Sequence, residues 1–170
     1  MKKRIVKSSD PLQRGYCYTL TAPAGKRFDP EFKPQLTPQQ MLELGMFGGV
    51  YFYGKGAVDE YPKAWFKNIP IIEKRDKSLN YFNVNASQPM SAWVKKGWIY
   101  ADDPRGWVQW YFRYYMGRRI PKEDARQIHR WKMMVRHIAQ IKRKCVPGDV
   151  SCNPRQRQAL LHWAYDSRKF

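Results

Sequence analysis

The stretch that decides the fold is residues 102–145, DDPRGWVQWYFRYYMGRRIPKEDARQIHRWKMMVRHIAQIKRKC. It concentrates both aromatic residues and positive charge. Pro104 and Pro121 each stand where a helix can begin, because proline suits the first helical position. The stretch therefore predicts two consecutive helices, a mostly aromatic one and a second one that runs from Pro121 to Lys144.

The first predicted helix is apolar around nearly its whole circumference. A cap at Asp102 or Asp103 begins it, and its polar stripe is limited to Gln109, Arg113 and Gly117, spaced four residues apart. A helix that is apolar on nearly all sides belongs in an interior. We therefore expect a central buried helix whose aromatic residues serve mainly the core rather than base stacking. The candidate exceptions are Tyr111, Tyr114 and Tyr115.

Three arginines belong to this helix and its end. Arg113 is a charge on a mostly buried helix, so it needs either a carboxylate partner or an opening to solvent. A buried salt bridge and an arginine at the floor of a binding cleft are both compatible with its position. Arg118 and Arg119 follow at the helix end, where cations also suit the helix dipole.

The second predicted helix separates an apolar face from a basic face. No acid follows Glu123 and Asp124 within it. Solvated helices usually mix charges of both signs, whereas a face of one sign creates a field that concentrates phosphates. The predicted apolar face consists of Ala125, Ile128, Trp131, Val135, Ile138, Ala139 and Ile141. The predicted basic face consists of Arg126, His129, Arg130, Arg136, Gln140, Arg143 and Lys144, with Lys132 at its edge.

Three further helices and one strand are predicted by local signals. Thr37 and Pro38 form a helix start, and that helix should end near Gly45 or near Gly48–Gly49. Other helices are expected between about residues 89 and 97 and from the Asn153–Pro154 cap onward. Alternation of apolar and polar residues at 16–20 indicates one short strand.

The composition predicts a folded, mainly α protein. With 43% hydrophobic and 15% aromatic residues, the 170-residue chain differs from a basic disordered tail. We expect a compact helical bundle in one domain, residues 16–170, preceded by an extended basic arm at residues 1–15. The arm either follows a phosphate backbone or is a frayed terminus, and the frayed terminus is favoured for residues 1–9. Its basic residues are Lys2, Lys3, Arg4, Lys7 and Arg14.

The net charge of +18, from 32 basic and 14 acidic residues, predicts an anionic partner. Nucleic acid is the first choice, and an anionic membrane surface and an acidic protein are the others. Between Arg118 and Phe170 there are 14 basic and 4 acidic residues, so the charge is localised. Arg155 and Arg157 extend the basic patch.

The apolar runs and the cysteines of the sequence indicate the compartment of the protein. The chain has neither an apolar run of about 18 residues nor the apolar region of a secretory signal, so we expect a protein inside the cell. An odd number of cysteines fits a reducing compartment. The six-residue gap between Cys145 and Cys152 is wider than the usual zinc-ligand spacing. Two free thiols are therefore favoured, a disulfide stays open if the geometry permits it, and no metal or cofactor is predicted. The histidines considered for zinc are His129, His137 and His162.

Three motifs resemble a family of small intracellular proteins of uncharacterised function. They are DPRGWVQWYFRYYMGRR at 103–119, LTPQQMLELGMFGG at 36–49 and NPRQRQALLHWAYD at 153–166. The resemblance covers residues 16–168. It implies no catalytic residue.

No catalytic signature is recognised, so a binding protein is favoured over an enzyme. A base-flipping enzyme would need an aromatic pocket with an acid or base beside it. Asp102, Asp103, Tyr111 and His129 are the available groups, and no spacing singles them out. An assembly component that neutralises acidic proteins is the third hypothesis, and an exposed apolar patch beside the basic face would support it.

The leading prediction is nucleic-acid binding through phosphate contacts, with DNA slightly ahead of RNA. The candidate contact residues are Arg113, Arg118, Arg119, Arg126, Arg130, Lys132, Arg136, Arg143, Lys144, Arg155 and Arg157.

Overall fold

Residues 4–170, the part of the chain that the computed structural model describes, form six α-helices and a two-stranded sheet. The strands are β1 (Arg4–Lys7) and β2 (Cys17–Leu20). The helices are α1 (Pro38–Leu44), α2 (Met90–Lys95), α3 (Trp107–Met116), α4 (Pro121–Met133), α5 (Val135–Lys144) and α6 (Pro154–Leu161). Short 3-10 helices are found at Phe47–Gly49, Lys63–Phe66, Lys77–Leu79 and Ser167–Lys169.

Helix α3 lies at the centre of the core, which confirms the expected buried aromatic helix. Trp110, Tyr111 and Phe112 are all 0% exposed. The helix begins later than predicted, because Gly106 rather than an aspartate precedes its first residue. The three candidate tyrosines also pack in or against this core, so they are not free for base stacking.

The N-terminal segment is packed where the sequence predicted a frayed arm. Strand β1 pairs antiparallel with β2, with Arg4 opposite Leu20. Val6, Ser8 and Asp10 are buried, because β1 covers the core and the two polar side chains find partners there. Two residues of the predicted arm, Lys2 and Lys3, lie outside the described part of the chain.

Local signals set the starts of two helices as predicted. The Thr37 hydroxyl oxygen accepts a hydrogen bond from the Gln40 amide at 3.2 Å, and the Gln40 side chain accepts one from the Thr37 amide at 2.9 Å. This reciprocal cap satisfies two amides that a helix start otherwise leaves unpaired. Helix α6 starts at the expected position after Asn153, but the Asn153 side chain makes no capping hydrogen bond.

The predicted single helix from 121 to 144 is divided at Met134 into α4 and α5. The Tyr165 hydroxyl donates to the Trp131 carbonyl at 3.1 Å, and a side chain that bonds to a helix carbonyl interrupts the regular ladder. The division also changes which side chains are covered. Val135, predicted on the apolar face, is 52% exposed, whereas Ile141 is 1% exposed.

Candidate nucleic-acid interface

Arg113 lies in a buried salt-bridge network and not at the floor of a cleft. It is 0% exposed. Its Nε and Nη2 atoms donate to the Glu60 carboxylate at 2.9 and 2.8 Å, and Nη1 donates to Asp103 at 3.1 Å. Its prediction as a nucleic-acid contact is therefore wrong, since its charge is compensated inside the protein.

Arg118 belongs to the same network. Its Nη2 atom donates to the second oxygen of Asp103 at 2.5 Å, and the arginine is 2% exposed. Asp103 therefore bridges two arginines instead of capping α3. The prediction of Arg118 as a nucleic-acid contact is therefore also wrong, because the side chain is buried and paired.

Arg119 and Arg157 both donate hydrogen bonds to backbone carbonyl groups. Arg119 donates to the carbonyls of residues 26, 27, 114 and 118, and its guanidinium lies 3.9 Å from the Tyr114 ring centroid. Arg157 is 0% exposed and donates to the carbonyls of residues 149, 152, 167 and 170. Both therefore have structural roles, and burial leaves Arg157 no surface for phosphate.

Two predicted contacts on α4 have carboxylate partners. Arg126 donates to both oxygens of Glu123 at 2.7 and 2.8 Å. Lys132 pairs with Glu31 at 2.7 Å, but both side chains are largely exposed. An exposed pair of this kind is worth little, so Lys132 can exchange its partner for a phosphate more easily than Arg126 can.

Four of the predicted contacts remain exposed, and no residue within 4–170 forms an ion pair with them. Gln156 on α6 contacts both His137 and Gln140 on α5, so the two helices lie side by side. Arg155 directly precedes Gln156, the residue through which α6 contacts α5. We call these four residues the α5 surface: Arg136, Arg143, Lys144 and Arg155.

Many of the acidic residues are buried in the protein interior. Six of the 14 acids are buried, mostly as partners of the internal arginines and of backbone amides. Between Asp124 and Asp166 the sequence holds a single acid, Asp149. The positive charge of the α5 surface thus has little local compensation.

An aromatic groove that sequence analysis did not foresee adjoins the α5 surface. Its volume is about 460 Å³, within the range typical of ligand pockets. Arg130, Arg136 and His137 line it together with residues 86–88, and no carboxylate does. Its principal aromatic residues, which define the tryptophan groove, are Phe47, Trp93, Trp98, Trp107 and Trp163.

Arg130 lines the groove and lies against two of its tryptophans. Its guanidinium is 5.8 Å from the Trp98 ring centroid and 5.4 Å from that of Trp163. Nη1 donates to the Trp98 carbonyl at 3.1 Å and to the Gln127 side chain at 2.9 Å. Burial, with a contribution from Arg126, lowers the pKa of Arg130 to about 10. The groove therefore holds a positive charge at neutral pH.

Unlike the arginines, the two histidines of the groove do not supply its positive charge at neutral pH. His162 is buried, its ring stacks on Phe47 at 4.0 Å, and Nε2 accepts the Phe47 amide hydrogen at 3.2 Å. Burial, with a contribution from Arg75, lowers the pKa of His162 to about 3. Burial and the neighbouring Arg136 also lower the pKa of His137. The positive charge of the groove at neutral pH therefore comes from its arginines.

The residues considered for base-flipping chemistry do not come together at this groove. Asp103 is engaged by two arginines, and the Tyr111 hydroxyl donates to the Leu36 carbonyl at 2.7 Å. Asp102 and His129 are not among the lining residues either. A smaller cavity of about 300 Å³ beside α1 contains Glu43 and no lysine or arginine, so it lacks the charge of the tryptophan groove.

The two late cysteines are joined by a disulfide, so the prediction of two free thiols is wrong. Their Cα atoms are 5.8 Å apart. Arg157 donates to the carbonyls of both Asp149 and Cys152, so it orders the part of the loop that leads into Cys152. Within residues 4–170 no group of three or more His, Cys, Asp or Glu side chains is arranged to hold a metal ion.

Among residues 4–170 no helix combines the length and the apolar character that a bilayer crossing requires. The resemblance to a family of small intracellular proteins stays a prediction. Protein-family models, curated proteins and solved structures were each compared with the chain, and none of them matches it.

Proposed function

We propose that the protein binds nucleic acid and that the α5 surface contacts the phosphate backbone. The observation that carries the proposal is the set of four exposed cations without an ion-pair partner in the described part of the chain. Cations that are already paired would have to give up a carboxylate to bind phosphate, whereas these four exchange only water and counterions. Among the predicted contacts, they are therefore the groups whose charge is free to act on an anionic partner.

The chemistry of the surface suits a phosphate backbone. Three of its four members are arginines, whose planar guanidinium binds phosphate through two parallel hydrogen bonds. Helix α5 fixes the backbone of three of these cations, so only their side chains have to be ordered on binding. DNA and RNA share this phosphate chemistry, and DNA remains the first probe.

Binding can be measured by fluorescence anisotropy with labelled oligonucleotides at 50 mM salt and above. Each phosphate contact contributes about 0.9 to the slope of log affinity against log salt for duplex DNA. The double variant Arg136→Ala/Arg143→Ala should therefore bind more weakly and lower that slope by about 2. The matched control, Lys55→Ala/Lys63→Ala, removes the same charge from exposed positions outside the α5 surface.

Two results would contradict the proposal. One is the absence of binding to both duplex and single-stranded oligonucleotides at 50 mM salt. The other is an equal loss of slope in the two double variants, because that would mean that only the net charge matters and not the α5 surface.

An assembly surface for an acidic protein is the second candidate. Met133 and Val135 are 49% and 52% exposed beside Arg136, and exposed apolar side chains next to cations favour a protein partner. Polyglutamate is a simple probe of this alternative. Tighter binding to polyglutamate than to an oligonucleotide of equal charge would favour it over nucleic acid.

A further inference from the structure

Three tryptophans of the groove are at least partly exposed. Trp98 is 40% exposed, and Trp93 and Trp163 are only partly buried, whereas Trp107, Trp110 and Trp131 are buried. Uncovered tryptophan faces lose the burial that stabilises the core. A planar apolar ligand that covered them would recover that stabilisation.

The groove also has the charge of a site for an anionic ligand. Arg130 lies against two of the tryptophans, Arg136 lines the groove, and no carboxylate does. Outside the lining, Lys96 places its Nζ atom 4.6 Å from the Trp98 ring centroid. Aromatic faces beside cations are the combination that binds a nucleobase and its phosphate.

The groove and the α5 surface are continuous. Arg136 belongs to both, because it lines the groove and is exposed on α5. A strand whose phosphates lie on the α5 surface therefore passes the mouth of the groove. The bases of a regular duplex are stacked on each other and have no free face, so only an unpaired base can enter.

We propose that the tryptophan groove binds one unpaired nucleobase, stacked on Trp98, of a strand whose phosphates lie on the α5 surface. This inference rests on the proposed function and names its substrate class, which is single-stranded nucleic acid or a duplex with a bulged base. Arg130 provides the positive charge beside the stacked base. Arg136 binds the phosphate attached to it.

The test compares three probes of equal length in the anisotropy assay: a perfect duplex, the same duplex with one bulged 2-aminopurine, and a single strand that contains 2-aminopurine. The bulged and single-stranded probes should bind about 5- to 150-fold more tightly than the perfect duplex, the effect of one base–aromatic stack. The 2-aminopurine fluorescence should fall on binding.

The variants separate stacking from charge. Trp98→Ala should abolish the preference for unpaired bases and the fluorescence change, and leave the salt slope as it is. Trp98→Phe keeps an aromatic face and should retain part of the preference. Tyr53→Ala is the matched control, because Tyr53 is 46% exposed and does not line the groove.

The outcomes distinguish this inference from the proposed function. Salt-dependent binding with no preference for an unpaired base, or with a preference that Trp98→Ala leaves intact, overturns the groove assignment and spares the α5 surface. No binding to any of the three probes overturns both.

Discussion

Acidification should destabilise the protein through one buried histidine. His162 is 3% exposed, and its Nε2 atom accepts the Phe47 amide hydrogen. A proton on Nε2 would remove that hydrogen bond and place a charge in the core. Burial, with Arg75 contributing, therefore lowers the pKa of His162 from 6.5 to about 3.

The sign and the size of the effect follow from linkage between proton binding and folding. Between pH 6.5 and pH 3 the unfolded chain binds a proton at this histidine and the folded chain does not, so stability falls as the pH falls. From pH 6.5 to pH 5 each pH unit is worth about 1.4 kcal/mol. His162 should therefore lower the free energy of unfolding by about 2 kcal/mol between pH 7 and pH 5.

Urea unfolding, followed by tryptophan fluorescence at pH 7 and pH 5, measures this difference. We expect His162→Gln to lose about 2 kcal/mol less than the wild type on acidification, because glutamine can still accept the Phe47 hydrogen bond but does not titrate. His129→Gln is the matched control, since His129 is exposed. Equal losses in the wild type and His162→Gln would refute the assignment.

Three further predictions concern stability. Glu60→Gln should lower the free energy of unfolding in urea by about 3–5 kcal/mol, because Arg113 would keep its charge in the interior without its main partner. Gly117→Ala should lower Tm strongly in thermal melts, because φ is +115° and a Cβ atom would lie 1.9 Å from a carbonyl oxygen. Reduction of the Cys145–Cys152 bond, which links cysteines seven positions apart, should lower Tm in dithiothreitol by about 5–10 °C.

Each of these three predictions has a control in the same chain. Lys132→Ala breaks an exposed ion pair and should cost less than about 1 kcal/mol. Gly97→Ala meets no atom within 4 Å, so its effect should be much smaller than that of Gly117→Ala. Cys17→Ser should melt like the wild type, because Cys17 is exposed and unbridged. A control that matched its test variant would contradict the corresponding explanation.

Features that depend on neighbouring residues were predicted well. The cap at Thr37 and the all-round apolarity of α3 depend on residues within a few positions of one another. The alternation in β2 likewise places Tyr18 and Leu20 inside. In each case the local pattern already contains the physical cause of the structure.

The candidate site was predicted less well, because its residues are assigned by distant partners. The helical pattern of the sequence shows where the charged residues lie along a helix. It does not show that Arg113 binds a carboxylate 53 positions away. It also cannot show that the carbonyls around the disulfide loop turn toward Arg157. The tryptophan groove combines Phe47, Trp98 and Trp163, and no spacing along the chain relates these residues. The exposed cations of α5 were the part of the site that local reasoning could find.

The buried network around Arg113 has a consequence for the order in which the chain folds. Asp103, which Arg118 shares, is the one carboxylate partner close in sequence, whereas Glu60 and Ser8 lie 53 and 105 positions away. An intermediate that packed α3 before these two segments arrived would enclose two arginines with a single carboxylate, at a cost of several kcal/mol. The N-terminal strand, the segment around Glu60 and the central helix must therefore close together, which makes folding slow to begin and cooperative once it has begun.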